Sequence, residues 1–170
     1  MSAPASFTVT LGDSRLLFER KPPMSTTNVI PYLFFSGRCE EAIAFYQRTI
    51  GAEPGMMMRF DESPQPPPAE MLQEGFEKKV MHAEFRVGGA TIFCSDGCDD
   101  KSTFSGFSLV LHVASEAEAE HKFAALAEGG KVTMPLSKTF WSPKYGMLTD
   151  KFGVAWMVMV PGERSPSARG

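Results

Sequence analysis

Three polar side chains, His82, Glu84 and Arg86, alternate with Met81, Ala83, Phe85 and Val87 along the stretch VMHAEFRV. A period of two is that of a half-buried strand, with apolar residues on one face and polar residues on the other. On such a face His82 is suited to general acid–base work, with the Glu84 carboxylate beside it and the Arg86 cation within reach. The plainer reading of the three is a solvated or ion-paired strand face. A second candidate group lies near the C-terminal end, where Trp141 and Tyr145 are interspersed with Pro143 and Gly146. Pro and Gly disfavour a plain central strand, so the rings are expected at a cleft wall, stacking on a planar ligand. Core packing is the alternative for both. Ser95-Asp96 ends a strand near the same cleft, and His112 shares the strand phase of Ser108. The three histidines show no HxH or HExxH spacing, and His121 falls on a helix, at the surface or the edge of the core. A displaced metal site of His82, Glu84 and His112 is one arrangement open to them.

The elements that must position these residues follow from pattern and punctuation. Val29 to Ser36 is expected to form a strand. A helix is predicted from Cys39 to Ile50, with Glu40 and Glu41 at its positive end and Gly51 as its stop. A weaker strand, Ala52 to Phe60, precedes a stretch with Pro64, Pro66, Pro67 and Pro68. That density of proline predicts a long loop over 61–79, either a lid or a surface insertion. Val80 to Val87 and Ala90 to Ser95 form a hairpin about Gly88-Gly89. Gly106 to Val113 is a strand, and Ser115 with Glu118 makes a capping box for a helix ending near Gly129-Gly130. Strands near Lys131–Thr139, Trp141–Thr149 and Val154–Val160 complete the chain. The many methionines, Met56, Met57, Met58, Met157 and Met159 among them, suit either core filling or an adaptable apolar surface.

The order strand, helix, strand, strand, strand occurs twice. Phe45 and Gly51 correspond to Phe123 and Gly129, and Gly89 and Ile92 to Gly153 and Trp156. The expectation is an α+β fold of two βαβββ modules whose curved mixed sheets surround a cleft. Its divisions are an N-terminal extension 1–23, a first module 24–104, a second module 105–162 and a tail 163–170. The extension, with a small hairpin over FTVTL-GDS-RLLFE, is an appendage or the product of an upstream start codon. Its short apolar run, followed at once by charges, is not a secretory signal.

The whole chain has 170 residues and a net charge of −3. An acidic balance argues against a nucleic-acid partner, and no apolar run is long enough to span a membrane. Cys39, Cys94 and Cys98 are odd in number and contain no CxxC. They read as free thiols in a reducing cytoplasm.

The stretches PYLFFSGRCEEAIAFYQRTIGAE, SGFSLVL and TFWSPKYGMLTDKFGVAWMV, in that order, resemble the vicinal-oxygen-chelate superfamily of glyoxalase I, bleomycin-resistance proteins and extradiol dioxygenases. The chain is more similar still to its PhnB-like branch, also called demethylubiquinone-methyltransferase-like. No glycine-rich loop with an acidic pair is present to hold a methyl donor. The resemblance implies a metal held by His, Glu or Gln on the first and last strands of each module. Those positions map to Pro31, Phe93, Ser108 (or Leu109) and Met157, none of which suits a divalent metal. The expectation is therefore no metal and no cofactor. Instead, a small organic molecule is expected in the inter-module cleft, with His82 and Glu84 as candidate catalytic groups. Arg86, Phe93, Ser95, His112, Trp141 and Tyr145 are expected to contact the ligand. A homodimer is implied by the resemblance. Two other readings stay open: a metal-dependent glyoxalase-type lyase or isomerase with displaced ligands, and a non-catalytic interaction protein.

Overall fold

A computed structural model of the chain describes residues 27–162; the N-terminal hairpin, the extension 1–23 and the tail 163–170 lie outside the described residues. The elements alternate as β1 (Tyr32–Phe34), α1 (Cys39–Ile50), β2 (Glu53–Arg59), β3 (Val80–Val87), β4 (Ala90–Ser95), β5 (Leu109–His112), α2 (Glu116–Leu126), β6 (Lys131–Ser137), β7 (Lys144–Thr149) and β8 (Ala155–Val160). The first four strands make one sheet in the order β1-β4-β3-β2, and the last four a second in the order β5-β8-β7-β6. In each sheet the first strand pairs parallel with the last, and the remaining pairs are antiparallel. These are two βαβββ modules with the same topology.

The predicted helices and the β3–β4 hairpin form where patterning and caps both specify them. Gly51 ends α1 with a φ of 73°, a left-handed geometry that costs glycine little. Ser115 Oγ accepts from the Glu118 N–H at 3.2 Å, while Glu118 reaches back to the Ala114 N–H at 3.0 Å. The 61–79 stretch carries no strand; only two single 3-10 turns interrupt it, Phe60–Glu62 at its start and Ala69–Met71. Three expected strands are shorter. β1 begins only at Tyr32, after Pro31, and β5 only at Leu109, after Gly106 turns with a φ of 77°. β7 begins at Lys144 because a tight turn holds Thr139–Ser142: the Thr139 N–H donates to the Ser142 carbonyl at 2.9 Å. Trp141 therefore stands in a loop and not in a strand.

The helix-side faces of both sheets converge on one core. Leu33, Phe45, Tyr46, Phe85 and Cys94 of the first module and Phe123, Leu148, Trp156 and Val158 of the second belong to the same buried cluster. α1 packs on α2 at its centre. Asp150, buried in the β7–β8 turn, fastens the two halves: it accepts from Tyr46 Oη at 2.7 Å, Trp156 Nε1 at 2.9 Å, and the Phe152 and Val154 N–H groups at 2.9 and 3.0 Å. Burial and the neighbouring Asp150 carboxylate both push the Tyr46 phenol upward, so it stays a proton donor. With both inner faces committed to this core, the opposite faces of the sheets point outward. Among the described residues the two open faces therefore do not share the expected single cleft; where the modules adjoin, a hollow of about 540 Å³ lies between them, bordered by Val87, Thr91, Val110, His112 and Lys122.

Candidate functional site

Alternation along each strand decides what the outward faces carry. On the first sheet Leu33, Ala83, Phe85, Ile92 and Cys94 turn to the core. Tyr32, Phe34, His82, Glu84, Phe93 and Ser95 are thereby turned out. The register agrees: Tyr32 pairs with Phe93, and Glu84 with Phe93 on the other side. Met81 departs from the expected phase. A register shift in the β2–β3 pairing lets Val80 take the core position, and Met81 lines a surface hollow instead.

That hollow, about 450 Å³, is bordered by Tyr32, Phe34, Met81, Ser95, Cys98 and Asp99. Beside it the rings interlock: His82 meets Phe93 edge-on at 5.0 Å and Tyr32 at 5.6 Å, and Tyr32 contacts Phe34 at 5.0 Å. Tyr32 Oη lies 3.1 Å from His82 Nδ1. Partial burial raises the Tyr32 ionisation, and the Ser95 hydroxyl partly opposes that by hydrogen bonding to the phenol. Glu84 lies over Gly55 of β2, where a Cβ would come within 2.6 Å of its side chain. Arg86, at the far end of β3, is exposed and 3.6 Å from Glu53. Asp96, next to Ser95, is buried and structural: its carboxylate receives the Cys39 N–H at the start of α1 and the Val80 N–H at the start of β3.

The second sheet turns out a different surface. Leu111, Leu148, Trp156 and Val158 face the core. Val110, Met147, Met157 and Met159 therefore line the open side, with Met134 of β6 paired to Met147. Tyr145 belongs to this face, and Trp141 folds onto it, ring edge to ring face at 4.5 Å. His112 pairs with Met159 at the end of β5 and is exposed.

The sequence-derived candidates thus separate into two groups. His82, Glu84, Phe93 and Ser95 share the first open face, with Arg86 at its margin. Trp141, Tyr145 and His112 belong to the second sheet. The structure does not bring His112 to His82 and Glu84, and among the described residues no three His, Cys, Asp or Glu side chains come together. His121 is exposed on α2. The positions turned outward on the first and last strands of the modules are Tyr32, Phe93, Val110 and Met157. The mapped Pro31 and Ser108 each fall just before a strand, so two of the four positions move. Tyr32 was hidden within the apolar run VIPYLFFS; the alternation of Tyr32 and Phe34 against Leu33 and Phe35 was the signal for it. Of the cysteines, Cys39 and Cys94 are buried and Cys98 is exposed. Contact with Cys94 and burial both push the Cys39 thiol up, which keeps it protonated and inert.

Two sheets of order first-last-third-second, each with a helix on one face, define a glyoxalase/bleomycin-resistance type of fold. A glyoxylase/bleomycin resistance protein/dioxygenase domain from Frankia sp. EAN1pec shares it, with a TM-score of 0.57 at 15% identity, over 81% of this chain and 99% of that one. Within that superfamily the chain belongs to the PhnB-like family described as 3-demethylubiquinone-9 3-methyltransferase, whose pattern matches residues 27–159. It is similar to protein YjdN of Escherichia coli, 41% identical over 136 residues that span 76% of this chain and 92% of that protein. It is likewise similar to the solved PhnB protein from Bacillus cereus, 31% identical with a TM-score of 0.65, over 79% of this chain and 99% of that one.

Proposed function

We propose that this protein binds a small planar organic molecule in a cleft made by the first open face of one chain and the second open face of another. The carrying observation is the aromatic and polar hollow of about 450 Å³ on the first sheet, which among the described residues has no opposing wall from its own chain. Apolar surface left in water favours a partner. Tyr32, Phe34 and Met56 on the first sheet and Val110, Met134 and Trp141 on the second are all exposed. A symmetric homodimer that sets each first face against a second face covers both kinds at once. In that cleft His82 and Glu84 are the candidate proton-handling groups. Phe93, Ser95, Tyr145 and Trp141 form walls and polar contacts, while Arg86 and His112 stand at the rim.

The ligand is held without the metal usual in the superfamily. Tyr32, Phe93, Val110 and Met157 offer one phenol oxygen and three groups with no hard donor, a set that does not fit a divalent cation. A glyoxalase-type reaction through displaced ligands makes the opposite prediction, about one metal per chain, lost in His82→Ala. Elemental analysis of protein purified without chelator separates the two. The three free thiols support a cytoplasmic setting. No helix among the described residues is long and apolar enough to cross a membrane.

Binding is tested by thermal shift against a panel of small aromatic compounds, since a ligand that prefers the native state raises the melting temperature. His82→Ala and Trp141→Ala should each abolish most of the shift while changing stability by no more than about 1 kcal/mol. A ligand whose shift survives both substitutions would refute the assignment.

A further inference from the structure

The hollow of about 540 Å³ where the modules adjoin lies along strand edges and not over a sheet face. A face would contribute alternate residues to it. The hollow instead takes all of Leu109–His112 in a row, and residues 90–92 of β4 in a row as well. β5 ends its sheet, so β8 alone pairs with it. The Val113 N–H donates to the Met159 carbonyl at 3.0 Å, and main-chain groups alternate in direction along a strand. Those of Leu109 and Leu111 therefore face β8, and those of Val110 and His112 face the hollow. On the other wall the Phe93 N–H donates to the Pro31 carbonyl at 2.9 Å. The next bond of that parallel ladder would run from residue 31 to the Thr91 carbonyl, and proline has no N–H to give. β1 accordingly starts at Tyr32, and the Thr91 main chain is left without a strand partner on that side among the described residues. Two unpaired edges thus flank one slot.

A further strand is what satisfies such edges. The walls also specify its side chains. Ile50, Ile92, Leu111 and Trp156 are buried beneath the slot, while Val110 and His112 stand exposed at its mouth. A strand lying there needs apolar residues inward and polar residues outward, in alternation. Residues 1–26 precede the described chain, and FTVTL at 7–11 has that pattern: Phe7, Val9 and Leu11 alternate with Thr8 and Thr10. The chain leaves the described residues beside the slot, because Pro31 borders it and Asn28 and Val29 are exposed. Residues 12–26 can span about 50 Å when extended, ample for the segment to turn back onto β5. We propose that residues 7–11 of the same chain fill this slot as a further strand, with Phe7, Val9 and Leu11 turned onto Ile92, Leu111 and Trp156. A tethered segment meets the slot at a high effective concentration, which favours it over a free peptide. The extension then closes the seam between the modules, independently of what the outward faces bind.

The test is amide hydrogen exchange in the full-length protein, followed residue by residue by NMR. The Val110 and His112 amides should exchange slowly in the unmodified protein. Val9→Asp turns a carboxylate inward and should quicken both by about tenfold to a hundredfold, the worth of one buried valine. Thr8→Asp places the same charge outward and should leave both slow. The Val113 amide, bonded to β8, should stay slow in all three proteins and shows that each is folded. Fast exchange at Val110 and His112 in the unmodified protein overturns the proposal. So does protection that survives Val9→Asp, which would mean another occupant, and so does equal loss in both variants. Mixing ¹⁵N-labelled Val9→Asp chains with unlabelled unmodified chains tests the source. Exchange that stays fast in the labelled chains supports the same-chain strand; protection regained there would show a second copy supplying it and would overturn the assignment.

Discussion

The two outward faces are built on one topology and carry opposite chemistry. On the first sheet Tyr32, His82 and Phe93 interlock through their rings, with Tyr32 Oη 3.1 Å from His82 Nδ1. On the second, Met147, Met157, Met159 and Val110 make a soft apolar surface with the Trp141–Tyr145 pair at its margin. In the proposed function the first face supplies the polar groups that orient a ligand. The second has unbranched thioethers that adapt to what is laid against them. In the proposed dimer a repeated fold unit divides the labour of a binding site, each face supplying one half. What keeps the halves apart within a chain is the joint between the modules, where Asp150 gathers four donors.

Breaking that joint should produce the largest effect. Asp150→Ala leaves the Tyr46 hydroxyl, the Trp156 indole N–H and two backbone N–H groups without their acceptor. Loss of one partner from a buried charged network costs about 3–5 kcal/mol, read as a fall in the urea midpoint. A change below about 1 kcal/mol would mean that the joint does not hold the modules. Next is the second face. Met157→Glu puts a carboxylate where the proposed dimer buries apolar surface. It should weaken association by about 3 kcal/mol, roughly a hundredfold, leaving the 18.7 kDa monomer in light scattering where the unmodified protein shows twice that mass. An unmodified protein that stays monomeric at micromolar concentration contradicts the dimer.

The smallest effect belongs to the exposed edge of the joint. Glu41 of α1 meets Arg38 at 3.0 Å and Lys151 of the β7–β8 turn at 2.8 Å. Their hydrogen bonds hold its carboxyl down to about 2, from an ordinary value near 4.5. Because the folded value is the lower one, this pair stabilises the fold above the ordinary value. The stabilisation fades as pH falls from there through about 2. Glu41 is 49% exposed, so screening holds the effect within about 1 kcal/mol. Comparing unfolding of the unmodified protein and Glu41→Gln across that window should show the difference shrink with acid; a constant difference would argue for packing in place of charge.

Much of the fold was legible in the sequence, because its strongest signals are local. Cys39–Ile50 ends on a left-handed glycine, Ser115 with Glu118 marks the second helix, and Gly88-Gly89 fixes the hairpin register. The polar phase of His82 and Glu84 followed from alternation. Less legible was anything set by contacts distant in sequence. Trp141 stands outside the strand in the Thr139–Ser142 turn, which a bond from Ser142 Oγ to the Val160 carbonyl at 2.7 Å, eighteen residues on, ties to β8. The direction of the two open faces depends on Tyr46 meeting Asp150 across 104 residues, which no window of sequence reveals. Met81 and Val80 exchange roles through a single register shift between β2 and β3.

The central claim is that the first face of one chain meets the second face of another. Dimers prepared from equal parts of ¹³C-labelled and unlabelled chains allow proton contacts between chains to be seen alone. Contacts from the methionine methyl groups of Met147 or Met157 in one chain to the ring protons of Tyr32, His82 or Phe93 in the other are the predicted result. A dimer in which those methyl groups touch no ring of the partner, or touch them only within their own chain, would contradict it.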